Sequence, residues 1–449
     1  MTNLVAPVGI LGFGIEGKST LRYLLREGIR HFVIMDKNPV NLSGIPENVR
    51  IDVSTGEKYL DGLLDCVTVV RSAGVFPMLP EIFQFQKNGG ILTSQISLYL
   101  ERTRAKTVVG VTGTLGKGSC VSLIRHALEF CKQPCIIGGN FGVPALDLLE
   151  SDSPERVSIL ELSSFQLMTL AQSPHIAVVL RVSSEHLDWH RSVEEYRDAK
   201  ANLVRWQKCH DFCIYLKDAL PSHEIALQSG ATRWSFGHGD NVDVTVDDVG
   251  LTAGGLHLSL VDCKVRGIYQ LENMAAAFLA CKALGADLRQ VLEAFKSYET
   301  LPFRMEFKGE FGGIEFYNDS YATRPDATMA AVKSMKRPFT LILGGSEKNA
   351  DFTELATVLA KTENLQKVSL IGDTATRMKM ALQEAHFTKP MQIFPDMDKA
   401  FADCLSIGKG GTVMLSPACA SFGLFKNYKA RGEAFDRLVK TFAATVSAK

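Results

Sequence analysis

The chain has 449 residues, 46% hydrophobic and 22% charged, the profile of a soluble globular protein too long for one ordinary core. Lys plus Arg and Asp plus Glu each number 49, so the formal charge is zero, which argues against a general binder of nucleic acid or anionic membrane. Ten cysteines form no C-x-x-C pair, and Cys209, His210 and Cys213 lack a second half-site, so free thiols in a reducing compartment are expected rather than zinc.

No apolar run reaches the ~18 residues of a membrane span. The opening MTNLVAPVGILGF has no basic segment before its apolar stretch. The expected location is the cytoplasm, without membrane insertion.

In chain order, VGILGF reads as a short buried strand and KSTLRYLLREG as a helix closed by Gly28. HFVIMD and CVTVVRSAG read as further strands. Buried apolar strands between helices predict a parallel, doubly wound sheet. A second block opens at KTVVGVTGTLGKGS, with strands CIIGGN, VSILELSS and IAVVLRVS and a helix predicted over 193–206. Short β signals follow in VDVTVDDVGLTAGGLHLSL, then a helix in LENMAAAFLACKALG. A third block starts near LPFRMEF, with strands IEFYNDS, FTLILGG, KVSLIG and GTVMLSP. The reading is α/β with three domains, 1–100, 101–300 and 301–449.

Two glycine loops carry the chemistry. GFGIEGKS, Gly12 to Ser19, fits both G-x-G-x-x-G and G-x-x-x-x-G-K-[ST]. Asp36 closes the next strand, where a dinucleotide fold places its sugar-binding acid, and this favours a nucleotide that is held over one that is cleaved. The second loop, VVGVTGTLGKGS, fails the P-loop pattern because Gly118 follows Lys117. Thr112, Thr114 and Ser119 nevertheless supply hydroxyls, and Glu161 and His186 follow at the ends of later strands. That set suits a magnesium and phosphate centre at the C-terminal edge of a sheet.

The segments GGNFGVPAL, LELSSFQL, EHLDWH with YRDAK, LPFRMEF, NDSYATRPDAT, LGGSEKNADF and LSPACASFGLFKNYKARGEAF resemble the Mur ligases of peptidoglycan synthesis, nearest the glutamate-adding type. They run in family order over nearly the whole chain. The resemblance implies a Rossmann-like N-terminal domain for a UDP-sugar, a central P-loop-type ATPase domain and a Rossmann-like C-terminal domain for the amino acid. It implies an ATP-dependent ligase acting through an acyl phosphate. That enzyme adds glutamate, taken as the D form, to UDP-N-acetylmuramoyl-L-alanine. An L-glutamate-adding variant and a catalytically impaired nucleotide-binding relative are the alternatives, and a monomer is expected.

By the same resemblance, Gly14, Ile15, Glu16, Asp36, Gly74, Asn140 and His186 would hold the UDP-sugar. Gly113, Thr114, Gly116, Lys117, Gly118, Ser119, Asn273, Arg304 and Asp319 would hold ATP. Glu161, His186, Ser119 and Lys200 would serve magnesium, with Lys200 carried as a carbamate. Thr323, Lys348, Ser421 and Tyr428 would hold glutamate. Lys117, His186, Lys200 and Lys348 form the expected catalytic set. Three positions depart from the family pattern: Leu115 where Asn is usual, Gly118 where Ser or Thr is usual, and Tyr321 where many members have Lys. The last removes a positive charge near the reacting centre.

Overall fold

The computed structural model describes residues 2–140, 142–183, 189–265, 268–347 and 350–447. Its first sheet contains β1 (Val8–Leu11), β2 (His31–Asp36), β3 (Arg50–Thr55), β4 (Thr68–Arg71) and β5 (Ile91–Ser94). All five are parallel, in the order β3-β2-β1-β4-β5. Every residue of β1 and β4 is buried, because helices cover both faces of the sheet centre and unbroken apolar runs are what such strands need. The strand order reverses between β1 and β4. Sheets of this kind take their ligands beyond the C-terminal ends of the strands at the reversal, and there Gly12–Gly17 and Ser72–Val75 lie.

The second sheet holds β6 (Thr107–Thr112), β7 (Cys135–Gly139), β8 (Val157–Glu161), β9 (Ile176–Val179), β10 (Phe212–Leu216), β11 (Thr232–Gly237), β12 (Val244–Val246), β13 (Gly250–Ala253) and β14 (Leu256–Ser259). Their order is β14-β13-β12-β11-β10-β9-β6-β8-β7. β6 is flanked by β8 and β9, both parallel to it, so the loop leaving it stands at the sheet centre. The helix predicted over 193–206 is shorter, Val193–Ala201, with Ser192 Oγ accepting from Glu195 N–H at its start. It ends because the chain tightens into i→i+3 turns, with Leu203 N–H bonded to Lys200 O and Val204 N–H to Ala201 O.

The third sheet holds β15 (Glu306–Phe311), β16 (Ile314–Asn318), β17 (Phe339–Leu343), β18 (Leu365–Ile371), β19 (Met391–Phe394) and β20 (Thr412–Leu415), ordered β15-β16-β20-β17-β18-β19. Only the β15–β16 pair is antiparallel. Loops after β16, β17 and β20 meet at one edge of this sheet.

The contacts divide the chain into two compact units. One comprises Met1–Asp247, Leu251–Leu258 and Glu272–Phe295; the other comprises Asp248–Gly250, Ser259–Leu271 and Lys296–Lys449. Within the first unit, one apolar cluster runs from Val8, Ile10 and Phe32 through Leu98 and Tyr99 to Leu160, Leu203 and Ile225. The buried Tyr99 hydroxyl donates to Ser158 Oγ at 2.7 Å, so the first and second sheets share a core.

Candidate active site

The loop after β1 is glycine-rich for steric reasons. Gly12 has φ +87°, a region that costs any side chain bearing Cβ, and a Cβ on Gly17 would lie 2.2 Å from Gly12 O. The helix Ile15–Arg26 starts at Gly14, and Ile15 is 78% exposed at its mouth. Asp36 accepts from Phe13 N–H at 2.7 Å and Asn38 N–H at 2.8 Å, which fixes the loop against the end of β2. Glu16 accepts from Ala73 N–H at 2.7 Å and from Gln166 Nε2 at 2.8 Å. It thereby ties the loop to the turn bearing Gly74, where a Cβ would meet nothing within 4 Å.

At the second sheet, Gly113 (φ +155°) and Gly116 (φ +84°) shape the loop between β6 and the helix Lys117–Phe130. A Cβ on Gly116 would stand 2.3 Å from Asn273 Oδ1, so Asn273 seats directly on the loop. Thr114 Oγ1 pairs with Tyr196 Oη at 2.9 Å and accepts from Ser183 N–H at 2.9 Å. Ser119 is buried in the first turn of the helix. Lys117 Nζ donates to Gly113 O at 2.9 Å and Thr114 O at 3.0 Å. Lys200 is 1% exposed, and its Nζ also donates to Gly113 O at 2.9 Å and lies 4.7 Å from the Tyr196 ring centroid. Two ammonium groups thus converge on one carbonyl at the start of a helix.

Glu161 closes β8, in register with Val111 of β6. It is buried, its Oε1 accepts from Asn140 Nδ2 at 2.8 Å, and its Oε2 is buried without a hydrogen-bond partner. A buried carboxylate oxygen with an open lone pair fits a hard divalent cation. Among the described residues no group of three or more His, Cys, Asp or Glu stands ready to hold a metal ion. His186 and Lys348 lie outside the described residues.

At the third sheet, Asp319 follows β16 and is buried. Its Oδ1 accepts from Met305 N–H at 3.0 Å and its Oδ2 from Ser416 Oγ at 2.7 Å. Burial pushes its carboxyl up to about 7, opposed by those two hydrogen bonds and by Arg304 and Arg431. Arg304 stacks over the Tyr321 ring, 3.8 Å from its centroid. Tyr428 meets Tyr321 edge-on at 4.8 Å, and its backbone carbonyl accepts from Ser320 Oγ at 2.8 Å. Thr323 N–H bonds Tyr321 O at 2.8 Å, and Ser421 is buried within the loop after β20.

Family models match three stretches: the N-terminal domain of MurD-like Mur ligases over residues 6–93, the Mur ligase middle domain over 111–281, and the Mur ligase glutamate ligase domain over 303–419. A protein of Symbiobacterium thermophilum named UDP-N-acetylmuramoylalanine--D-glutamate ligase is 34% identical across 97% of this chain and 98% of its own length. This chain belongs to the Mur ligase family. A protein of the same name from Acetivibrio thermocellus is 32% identical across 97% of each chain. The solved UDP-N-acetylmuramate-alanine ligase MurC of Thermotoga maritima shares the fold at 15% identity, TM-score 0.60, over 98% of this chain and 99% of its own.

Reading this Mur ligase from sequence misses the arginines that support its loops. Arg71, 1% exposed at the end of β4, donates to Val75 O at 2.6 Å and to Phe165 O at 3.0 Å, joining the Gly74 turn to the LELSSFQL segment. Arg431, fully buried, donates to Ser320 O at 2.8 Å and Cys419 O at 2.9 Å, joining the loops after β16 and β20. Burial lowers each guanidinium to about 10. Arg71 ends an apolar strand and Arg431 lies in the helix Tyr428–Ser447, and nothing in the spacing marks either guanidinium as buried.

Proposed function

We propose that this Mur ligase is an ATP-dependent, ADP-forming ligase that adds D-glutamate to UDP-N-acetylmuramoyl-L-alanine, in the cytoplasm, as a step of peptidoglycan precursor synthesis. The observation that carries the reading is the convergence of Lys117 and Lys200 on Gly113 O, beside Glu161. A glycine loop and a helix N-terminus that carry Lys117 favour a polyanion, and a nucleotide triphosphate fits there. The relatives, named for the D-glutamate reaction and matched over nearly their full length, support the substrate reading.

In this reading the substrate carboxylate oxygen attacks the γ-phosphorus, and the bond to ADP's bridging oxygen breaks. The glutamate amine then attacks the acyl carbon, phosphate leaves with its bonding pair, and the nitrogen gives up a proton. Magnesium, when bound, draws charge off the transferring phosphoryl group. Lys117, the loop N–H groups and Asn273 hold the phosphates. Glu161 with Ser119 serves the metal, Ser119 standing in for the hydroxyl missing at Gly118. Gly14, Ile15, Asp36, Gly74 and Asn140 receive the UDP-sugar, with Glu16 bracing their loop. Arg304 reaches the nucleotide, and Asp319 holds the turn that carries it. Thr323, Ser421, Tyr428 and Lys348 receive glutamate, and His186 orients the UDP-sugar. Lys200 acts as a carbamate.

The test is ADP release by the purified protein with UDP-N-acetylmuramoyl-L-alanine, ATP and magnesium, comparing D-glutamate, L-glutamate and no amino acid. Release that depends on D-glutamate is expected. Dependence on L-glutamate would replace the amino acid. No release, with the UDP-sugar still bound, would make the chain a non-catalytic relative.

A further inference from the structure

Tyr321 stands where the resemblance has a lysine, and the structure gives it a different task. The turn Leu301–Met305 is strained: Phe303 has φ +64° and Met305 φ +46°, both left-handed without being glycine. Such a turn persists only when its surroundings hold it, and three groups do. Tyr321 N–H donates to Phe303 O at 2.9 Å, and Asp319 Oδ1 accepts from Met305 N–H at 3.0 Å. The Phe303 ring is seated on Gly432, where a Cβ would lie 2.3 Å away.

Arg304 is the residue between the two strained positions. Its guanidinium lies on the face of Tyr321, 3.8 Å from the centroid. The Tyr321 ring is set in turn by the edge of Tyr428, at 4.8 Å and 81°, and Tyr428 meets Phe303 at 6.4 Å and 76°. A ring face attracts a guanidinium, whereas a lysine here would repel it.

We propose that Tyr321 is a positioning residue that orders Arg304 for nucleotide binding, replacing a second cation with an aromatic platform. The proposal rests on the reading that Arg304 contacts the nucleotide. Stacking on the face of the guanidinium leaves its N–H edge available for phosphate oxygens. The platform spares part of the entropy that a long side chain loses on ordering when the ligand arrives.

The test combines calorimetric titration of magnesium ADP with NMR of the arginine side chains. It is applied to the wild-type chain, Tyr321→Phe, Tyr321→Leu and Tyr321→Lys, each also in an Arg304→Lys background. In the wild type, the Arg304 side-chain protons are shifted upfield by the ring and return to ordinary positions in Tyr321→Leu. Tyr321→Phe keeps the shift and binds within about twofold of wild type. Tyr321→Leu weakens ADP about fivefold, and Tyr321→Lys weakens it more, with melting temperatures unchanged. In the Arg304→Lys background, Tyr321→Leu adds nothing further. Wild-type affinity in Tyr321→Leu, independent multiplication of the two effects, or an unshifted Arg304 overturns the proposal. ADP binding with the expected losses but no glutamate-dependent turnover overturns the ligase reading and supports the platform. A wild-type chain that binds no nucleotide overturns both.

Discussion

Lys200 is the residue whose environment differs most from what its sequence suggests. On a helix whose first turn reads VEEY it looks like a solvated lysine, yet its ammonium is buried and shares Gly113 O with Lys117. The neutral amine is the form to which CO2 adds, and at Lys200 it would do so in a buried site beside Lys117. A carbamate at Lys200 would put an anion beside the Lys117 ammonium, at Gly113 O. Lys200→Ala is therefore expected to lose activity by at least ~100-fold, the scale of a lost charge-stabilising group in an active site. Formate or acetate, which restore an anion without the lysine stem, should recover part of it. ADP release rates with and without these salts check this, and full activity in the alanine variant would remove the role.

At the scale of the element, β16 and its following turn carry a titration. Asp319 has its carboxyl raised to about 7 by burial, while an unfolded aspartate titrates at ~3.9. The unfolded chain thus releases its proton first, and the native state holds the extra proton between these values. Stability from this group is complete below about pH 4 and is lost as pH rises to about 7. Asp319→Asn keeps an acceptor for Met305 N–H and cannot ionise. Its melting temperature minus that of wild type should climb across this window and flatten above it. A constant difference would count against the shifted carboxyl. Most central strands were legible because strands covered on both faces are mostly apolar: β1, β2, β4, β6, β8, β9, β17, the VSLI end of β18 and β20 read as apolar runs, whereas β10 (FCIYL), equally apolar and inside the second sheet, was not read. Some edge strands were not, although the edge strand β7 (CIIGG) was. β3 (RIDVST) and β15 (EFKGEF) keep polar residues facing water, and β5 (ILTS) is too short to show a period. The glycine loops were legible because backbone geometry restricts their residues. Burial of Lys200, Arg71 and Arg431 was not, because it depends on elements distant in the chain.

For the whole molecule, sheets and cooperative units need not coincide. The described residues form three sheets, but their contacts form two compact units. The first two sheets share an apolar core and the buried Tyr99–Ser158 hydrogen bond, and polar ties from Arg71 to Phe165 O and from Glu16 to Gln166 cross between them. Removing either sheet's domain would expose that core and orphan those groups, so the two should melt together. The third sheet encloses its own apolar clusters, from Met305 and Phe339 to Met414 and from Phe316 to Phe435. Calorimetry should therefore resolve two transitions, not three. The described residues proposed for the UDP-sugar, Gly14, Ile15, Asp36, Gly74 and Asn140, all belong to the first unit. UDP-N-acetylmuramoyl-L-alanine at ~100 times its dissociation constant adds about 2.7 kcal/mol to the state that binds it. For a unit of this size that is a rise of about 5 °C, confined to one transition. A third transition would show that the shared core is too weak to couple the first two sheets. A shift of both transitions together would show that the sugar nucleotide also draws stability from the second unit.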